Sequence, residues 1–105
     1  MPFSNTAWTS PEADLSPEDF CTVCLIDENE SGKQKVKGLC KLPVRATPNG
    51  PYNVNAIHAA TGAHGILAVQ ASPDAKRKAA KKLISLYGEM KEEVPEGVKR
   101  IAGAR

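Results

Sequence analysis

The chain has 105 residues, 41% of them hydrophobic and 25% charged, and a formal net charge of only +2. A chain of this length forms one modest core and buries roughly two thirds of its unfolded surface. The charge balance excludes a wholesale polycation, so any nucleic-acid or membrane contact must come from local clustering.

No apolar run approaches the ~20 residues that a membrane-spanning helix needs, so no membrane partner is expected. The opening Met1-Pro2-Phe3-Ser4-Asn5 has neither the basic nor the apolar region of a secretory leader. Cys21, Cys24 and Cys40 are an odd number of cysteines. In a leaderless chain they point to reduced thiols in a cytosolic setting rather than to a disulfide framework.

Residues 1–15 read as an extended arm, because Pro2, Ser4, Asn5, Ser10 and Pro11 supply turn chemistry and no period of 2 or 3.6 is sustained. Phe3 and the single tryptophan, Trp8, lie in this arm. They either rest on the domain's own core or anchor the arm to a partner, a role that exposed aromatics suit. Ser16-Pro17-Glu18-Asp19 has an N-cap, an N1 proline and two acids, enough for a single helical turn. A strand is expected from Phe20 to Ile26, where Phe, Thr, Val, Cys, Leu and Ile all suit a pleated surface. After the polar loop Asp27 to Lys33, one face of the next segment carries Val36, Gly38, Cys40, Leu42 and Val44, and the other carries Lys35, Lys37, Leu39 and Lys41. This alternation predicts a β-hairpin with one lysine-lined face, closed by Pro43.

Thr47-Pro48-Asn49-Gly50-Pro51 is a turn cluster. A short helix is expected from an Asn53 N-cap to about Thr61, with Gly62 after it and Val54, Ile57 and Thr61 on its inner stripe. Ile66-Leu67-Ala68-Val69 is apolar but too short to assign. A long helix then runs from Ser72 to Glu92, with Ser72 as N-cap, Pro73 at N1 and Asp74 at the positive dipole end. At 100° per residue, Ala75, Ala79, Ala80, Leu83, Leu86, Tyr87 and Met90 fall within about 80° of Leu83. Arg77, Lys78 and Lys81 lie opposite, with Lys82 at the flank. Val94 to Arg105 reads as a tail without a strong period.

Cys21-x-x-Cys24 with Cys40 and His58 or His64 invites a zinc reading. A tetrahedral site needs four converging ligands, however, and residues three apart in a strand point to opposite faces. A cysteine nucleophile would need a histidine base and an orienting group, and no local signature supplies them. No phosphate-cradling loop follows the glycines, and Asp27, Glu28 and Glu30 lack the spacing of a calcium loop. No cofactor, metal or catalytic residue is therefore expected. The most distinctive cluster is Lys76-Arg77-Lys78-Ala79-Ala80-Lys81-Lys82, with five positive charges in seven residues. These bases lie near the helix start, while Glu89, Glu92 and Glu93 lie near its end, against the dipole. Such a face meets phosphates, an acidic protein surface or only solvent. Lys35, Lys37 and Lys41 would extend it if they faced the same way.

The order of Ser16-Pro17-Glu18-Asp19-Phe20, the strand end Lys41-Leu42-Pro43-Val44-Arg45, the short Val54–Ala60 helix and the lysine-rich helix closing on Leu83-Ile84-Ser85-Leu86-Tyr87 resembles a small domain of tailed bacteriophages and prophages. That domain occurs alone or appended to head-morphogenesis proteins such as prohead proteases and capsid proteins. The resemblance spans roughly residues 15–93. The chain departs from it in its cysteines and its longer hairpin loop, carries no protease domain, and takes no catalytic residue from it. The expected fold is α+β: a β-hairpin packed on a short helix and one long amphipathic helix, within a single domain over residues 16–93, with arm 1–15 and tail 94–105. The resemblance implies a non-enzymatic accessory or structural protein of head assembly or the virion, located in host cytoplasm or virion. Its partners would be phage structural proteins, including copies of itself. The expected contacts are Phe3, Trp8, Arg77, Lys78, Lys81 and Lys82. The alternative is a nucleic-acid-binding module that uses the basic helix Lys76–Lys82.

Overall fold

The structure, a computed structural model, describes residues 3–62 and 65–103; His64, considered above as a ligand or base, lies outside them. The longest apolar stripe organises the fold. Helix α3 (Pro73–Met90) starts at Ser72, whose side chain accepts a hydrogen bond from the Ala75 amide, and has Pro73 in its first turn. It ends at Lys91, a left-handed residue with φ of 59° whose amide bonds back to the Tyr87 and Gly88 carbonyls. Its inner face buries Ala79, Ala80, Leu83, Leu86 and Tyr87 from the predicted stripe, and Ala75 and Met90 at its ends pack half-buried against the same core.

Against that stripe pack Ile26, Val44, Ile57, Ala60, Ile66, Val98 and Ala102. They come from a strand β2 (Cys24–Asp27), the segment after a strand β3 (Cys40–Pro43), a helix α2 (Val54–Thr61), the turn that follows α2 and carries Ile66, and a helix α4 (Glu96–Ile101) with its C-cap, Ala102. β2 and β3 are antiparallel, with Cys24 opposite Pro43, Ile26 opposite Lys41 and Asp27 opposite Cys40. The fold is α+β, and the hairpin sits on one short and one long helix as expected. Its radius of gyration is 13.1 Å, close to the value of about 13 Å for a packed unit of this length.

The segment expected as a strand from Phe20 to Ile26 begins instead as helix α1 (Pro17–Val23), and the strand starts only at Cys24. The Ser16 hydroxyl accepts from the Asp19 amide, and this cap propagates beyond one turn. Phe20, Cys21 and Val23 then bury one helical face, with Cys40, in a second small cluster. Tertiary burial has overridden β-propensity here. The lysine-lined strand is also shorter than its alternation implied. Lys37–Leu39 form a 3₁₀ turn, Val36 and Leu39 are exposed, and Leu42 adopts φ of +64°, which breaks the pleat.

The arm pairs through a two-residue strand β1 (Phe3–Ser4), parallel to β4 (Tyr52–Asn53). Asn53 caps α2 through the Ala56 amide and also donates to the Thr6 carbonyl, while Asn55 donates to the carbonyls of Asn5 and Thr6. Ile57 is buried in α2 as expected, but its companions are Ala56 and Ala60, while Val54 and Thr61 are only half-buried. Gly65 turns the chain sharply after α2: a Cβ there would meet the Ala60 carbonyl oxygen at 2.3 Å. The predicted tail from Val94 carries α4, with Val98 and Ala102 buried. A stretch too short to show a period has been recruited by packing.

Cys21 and Cys40 form a disulfide, so the expectation of three reduced thiols is overturned for two of them; Cys24 is the free one. The bridge ties α1 to the start of β3. Chain entropy alone assigns it about 3 kcal/mol for a loop of this size. Replacing both cysteines by serine should lower the urea unfolding free energy by about that amount under oxidising conditions, and the difference should vanish in reductant. Leu83 is completely buried, so Leu83→Ala should cost about 2–5 kcal/mol in the same measurement, whereas the exposed Lys81→Ala should change it by less than about 0.5 kcal/mol.

Candidate functional site

Arg77, Lys78, Lys81 and Lys82 are all exposed on the outer face of α3. Arg77 is tied one turn back to Asp74, with Nη1 to Oδ1 at 2.9 Å, a pair of small energetic weight at the surface. Among the described residues, Lys78, Lys81 and Lys82 have no carboxylate partner. The face is not uniformly basic, however. At the N-terminal end of α3, Lys78 borders a cleft of about 500 Å³ whose wall includes Asp27, Glu28 and Asp74. Glu28 accepts from the Ser72 amide there at 3.1 Å, placing an acid at the positive helix end.

The hairpin lysines do not extend this face. Lys35 pairs with Asp27, Lys37 donates to the Glu12 carbonyl and Lys41 donates to the Gln70 carbonyl at 3.1 Å. Phe3 and Trp8, the other expected contacts, are half-buried against their own domain. The Phe3 ring lies 6.3 Å from that of Tyr52, and Trp8 walls a cleft with Leu42, Pro43, Ala56 and Val69. The domain itself holds the arm.

At the far end of the lysine row lies a group that sequence reasoning missed. Arg45 and Tyr52 face each other in an antiparallel bridge, closed by a turn in which the Gly50 amide donates to the Thr47 carbonyl. The Arg45 guanidinium carbon is 5.0 Å from the centre of the Tyr52 ring, and Lys82 Nζ is 5.4 Å from it, both within cation–π range. The turn cluster was legible, but nothing in the linear pattern links residue 45 to residue 82.

The cysteines bring no catalytic pair together. Burial, reinforced by the carboxylates of Glu12 and Asp27, pushes the Cys24 thiol up to about 12. It therefore stays protonated near neutrality, and a nucleophile must be a thiolate. His58 hydrogen-bonds Glu92 at 2.7 Å, linking α2 to the end of α3. Cys21, Asp27 and Cys40 converge within 4.8 Å, but the two sulfurs are spent in the disulfide and neither Cys24 nor His58 joins them. A zinc-binding sulfur must be a free thiolate, so this trio, with both sulfurs bonded to each other, does not form the site considered from the CxxC spacing.

Asn29 organises this corner. Its Oδ1 accepts from the Val36 amide at 2.8 Å and its Nδ2 donates to Asp27 Oδ1 at 2.8 Å, clipping the long loop shut. Burial by itself would raise the Asp27 carboxyl, but hydrogen bonds from Lys35 and Asn29 outweigh it and hold the group below its usual range.

Compared with known protein families, with curated proteins and with solved structures, the chain matches none. No helix among the described residues is long and apolar enough to cross a membrane.

Because its pKa is lowered on folding, ionised Asp27 contributes stability that is complete above its unfolded value, about 4, and is lost as pH falls through the folded value. Denaturant midpoints measured from about pH 6 to pH 2 should therefore fall less steeply for Asp27→Asn than for the parent. Parallel profiles would rule out this linkage.

Proposed function

We propose that this domain is a non-enzymatic accessory protein of a phage head or virion, and that it binds another structural protein through the outer face of α3. One observation carries the reading: three exposed lysines without carboxylate partners among the described residues, Lys78, Lys81 and Lys82, form a row whose first member, Lys78, borders a cleft walled by Asp27, Glu28 and Asp74. A surface with a basic row ending in an acidic notch complements a protein patch of mixed sign and fixes its register. A polyphosphate backbone would meet repulsion at the notch and gain only along part of the row. The net charge of +2 supplies little long-range attraction for nucleic acid.

The phage setting rests on the resemblance carried by the Ser16–Phe20, Lys41–Arg45 and Leu83–Tyr87 segments. The Cys21–Cys40 bridge suits a particle that meets oxidising surroundings better than a protein confined to a reducing cytosol. The arm is left out of the binding face, because Phe3 and Trp8 are seated on their own domain.

The test is co-sedimentation of the purified protein with phage head shells, alongside a DNA mobility shift at two ionic strengths. The expected result is binding to shells that drops at least tenfold for the double variant Lys78→Glu/Lys81→Glu and changes little when Phe3 and Trp8 are replaced by alanine. No binding to shells, together with a DNA shift at low salt that is lost at high salt, would replace this reading with the nucleic-acid one.

A further inference from the structure

A cleft of about 210 Å³ opens between the end of α1, the start of β2 and the outer flank of α3. Its walls include Thr22, Cys24, Arg45, Tyr52 and Lys82. Two cations share it and both lie on one aromatic ring, at 5.0 Å for Arg45 and 5.4 Å for Lys82. None of the residues that line it is acidic, and neither cation forms an ion pair among the described residues.

Arg45 is the more telling of the two. Among the described residues its Nε, sealed from solvent, has no hydrogen-bond partner, and the side chain's one hydrogen bond there is a long one, 3.5 Å, from Nη2 to the Thr22 carbonyl. A buried guanidinium nitrogen without an acceptor is uncommon, because desolvating a charged donor without compensation is expensive. Folding has nonetheless brought a second positive charge, Lys82, over the same aromatic ring. Helix stability gives no reason for this, since Lys82 could extend into water from an exposed position. An anion between the two would compensate both charges.

The lining selects the kind of anion. Arg45 offers a planar fork of donors and Lys82 a mobile point charge, the complementary pair that phosphate sites use. The wall beside them includes the neutral thiol of Cys24 together with Val23 and Leu25, so no lining residue carries a negative charge. We propose that this cleft is a phosphate-binding site, in which Arg45 and Lys82 grip a phosphate group beside Tyr52. The site goes beyond the protein-binding role of α3 and does not depend on it, since it lies at the other end of the lysine row from the acidic notch.

The experiment is a titration of the ¹⁵N-labelled, disulfide-intact protein with inorganic phosphate, and with sodium chloride at matched ionic strength, followed by NMR. Phosphate should shift the Arg45 side-chain Nε–H signal and the Tyr52 and Lys82 amides saturably. Lys82→Gln should weaken binding at least fivefold, whereas Lys81→Gln, which removes the same charge one residue away, should leave it within twofold. Both positions are exposed, so neither substitution threatens the fold. A short single-stranded oligonucleotide in a parallel titration identifies the source of the phosphate. Saturable shifts at the same residues, competed by inorganic phosphate, would make it a backbone phosphodiester, and a response to inorganic phosphate alone would make it a free or terminal phosphate. Equal shifts with chloride, or equal losses for Lys81→Gln and Lys82→Gln, would overturn the site and leave only diffuse attraction to a basic helix.

Discussion

Burial of the α3 stripe, from Ala79 and Ala80 through Leu83 and Leu86 to Tyr87, is the interaction on which the other elements depend. β2, α2 and α4 each contribute one or two buried apolar side chains to that surface: Ile26 from β2, Ile57 and Ala60 from α2, Val98 from α4. None of them could bury those side chains alone, since β2 and β3 are four residues each and α4 is six. Short elements of this kind hold their shape only when a longer one covers them. The small residues Ala79 and Ala80, both buried, let neighbouring backbone approach closely enough to exclude water.

A second, smaller cluster under α1 is tied off differently. Phe20, Cys21, Val23 and Cys40 form a modest apolar nucleus, and the Cys21–Cys40 bridge compensates for its size by restricting the unfolded chain. The clip made by Asn29, Asp27 and Lys35 closes the loop between the bridged segments. The domain is thus held at one end by hydrophobic burial and at the other by a covalent link with polar clasps.

This division leaves the outer face of α3 free of structural duty, and the free face is where the charge is concentrated. Its two ends differ in chemistry. At the N-terminal end Lys78 borders Asp27, Glu28 and Asp74, while at the end of the lysine row Lys82 meets Arg45 and Tyr52. A single helix therefore presents a mixed-charge surface and, further along, a cationic cleft. The hairpin lysines take no part in either, because each is engaged within the fold.

Elements with strong local signals were legible from the amino-acid order. Ser72 and Pro73 marked the start of α3 and Asn53 marked the start of α2, because caps and first-turn prolines act through neighbouring backbone amides. The apolar stripe and basic back of α3 followed from helical periodicity alone. What tertiary structure decided were the competitions between segments. Phe20 to Val23 became helix because the fold offered them a buried face, the stretch after Val94 became α4 because Val98 found the core, and Phe3 and Trp8 settled on their own domain. Cys21 found Cys40 rather than a metal, and Arg45 met Lys82 across Tyr52. Those pairings join residues 19 and 37 positions apart, and no local propensity reaches that far. The basic helix was readable as a charged face from the sequence, but only the packing around it showed that its two ends carry different chemistry.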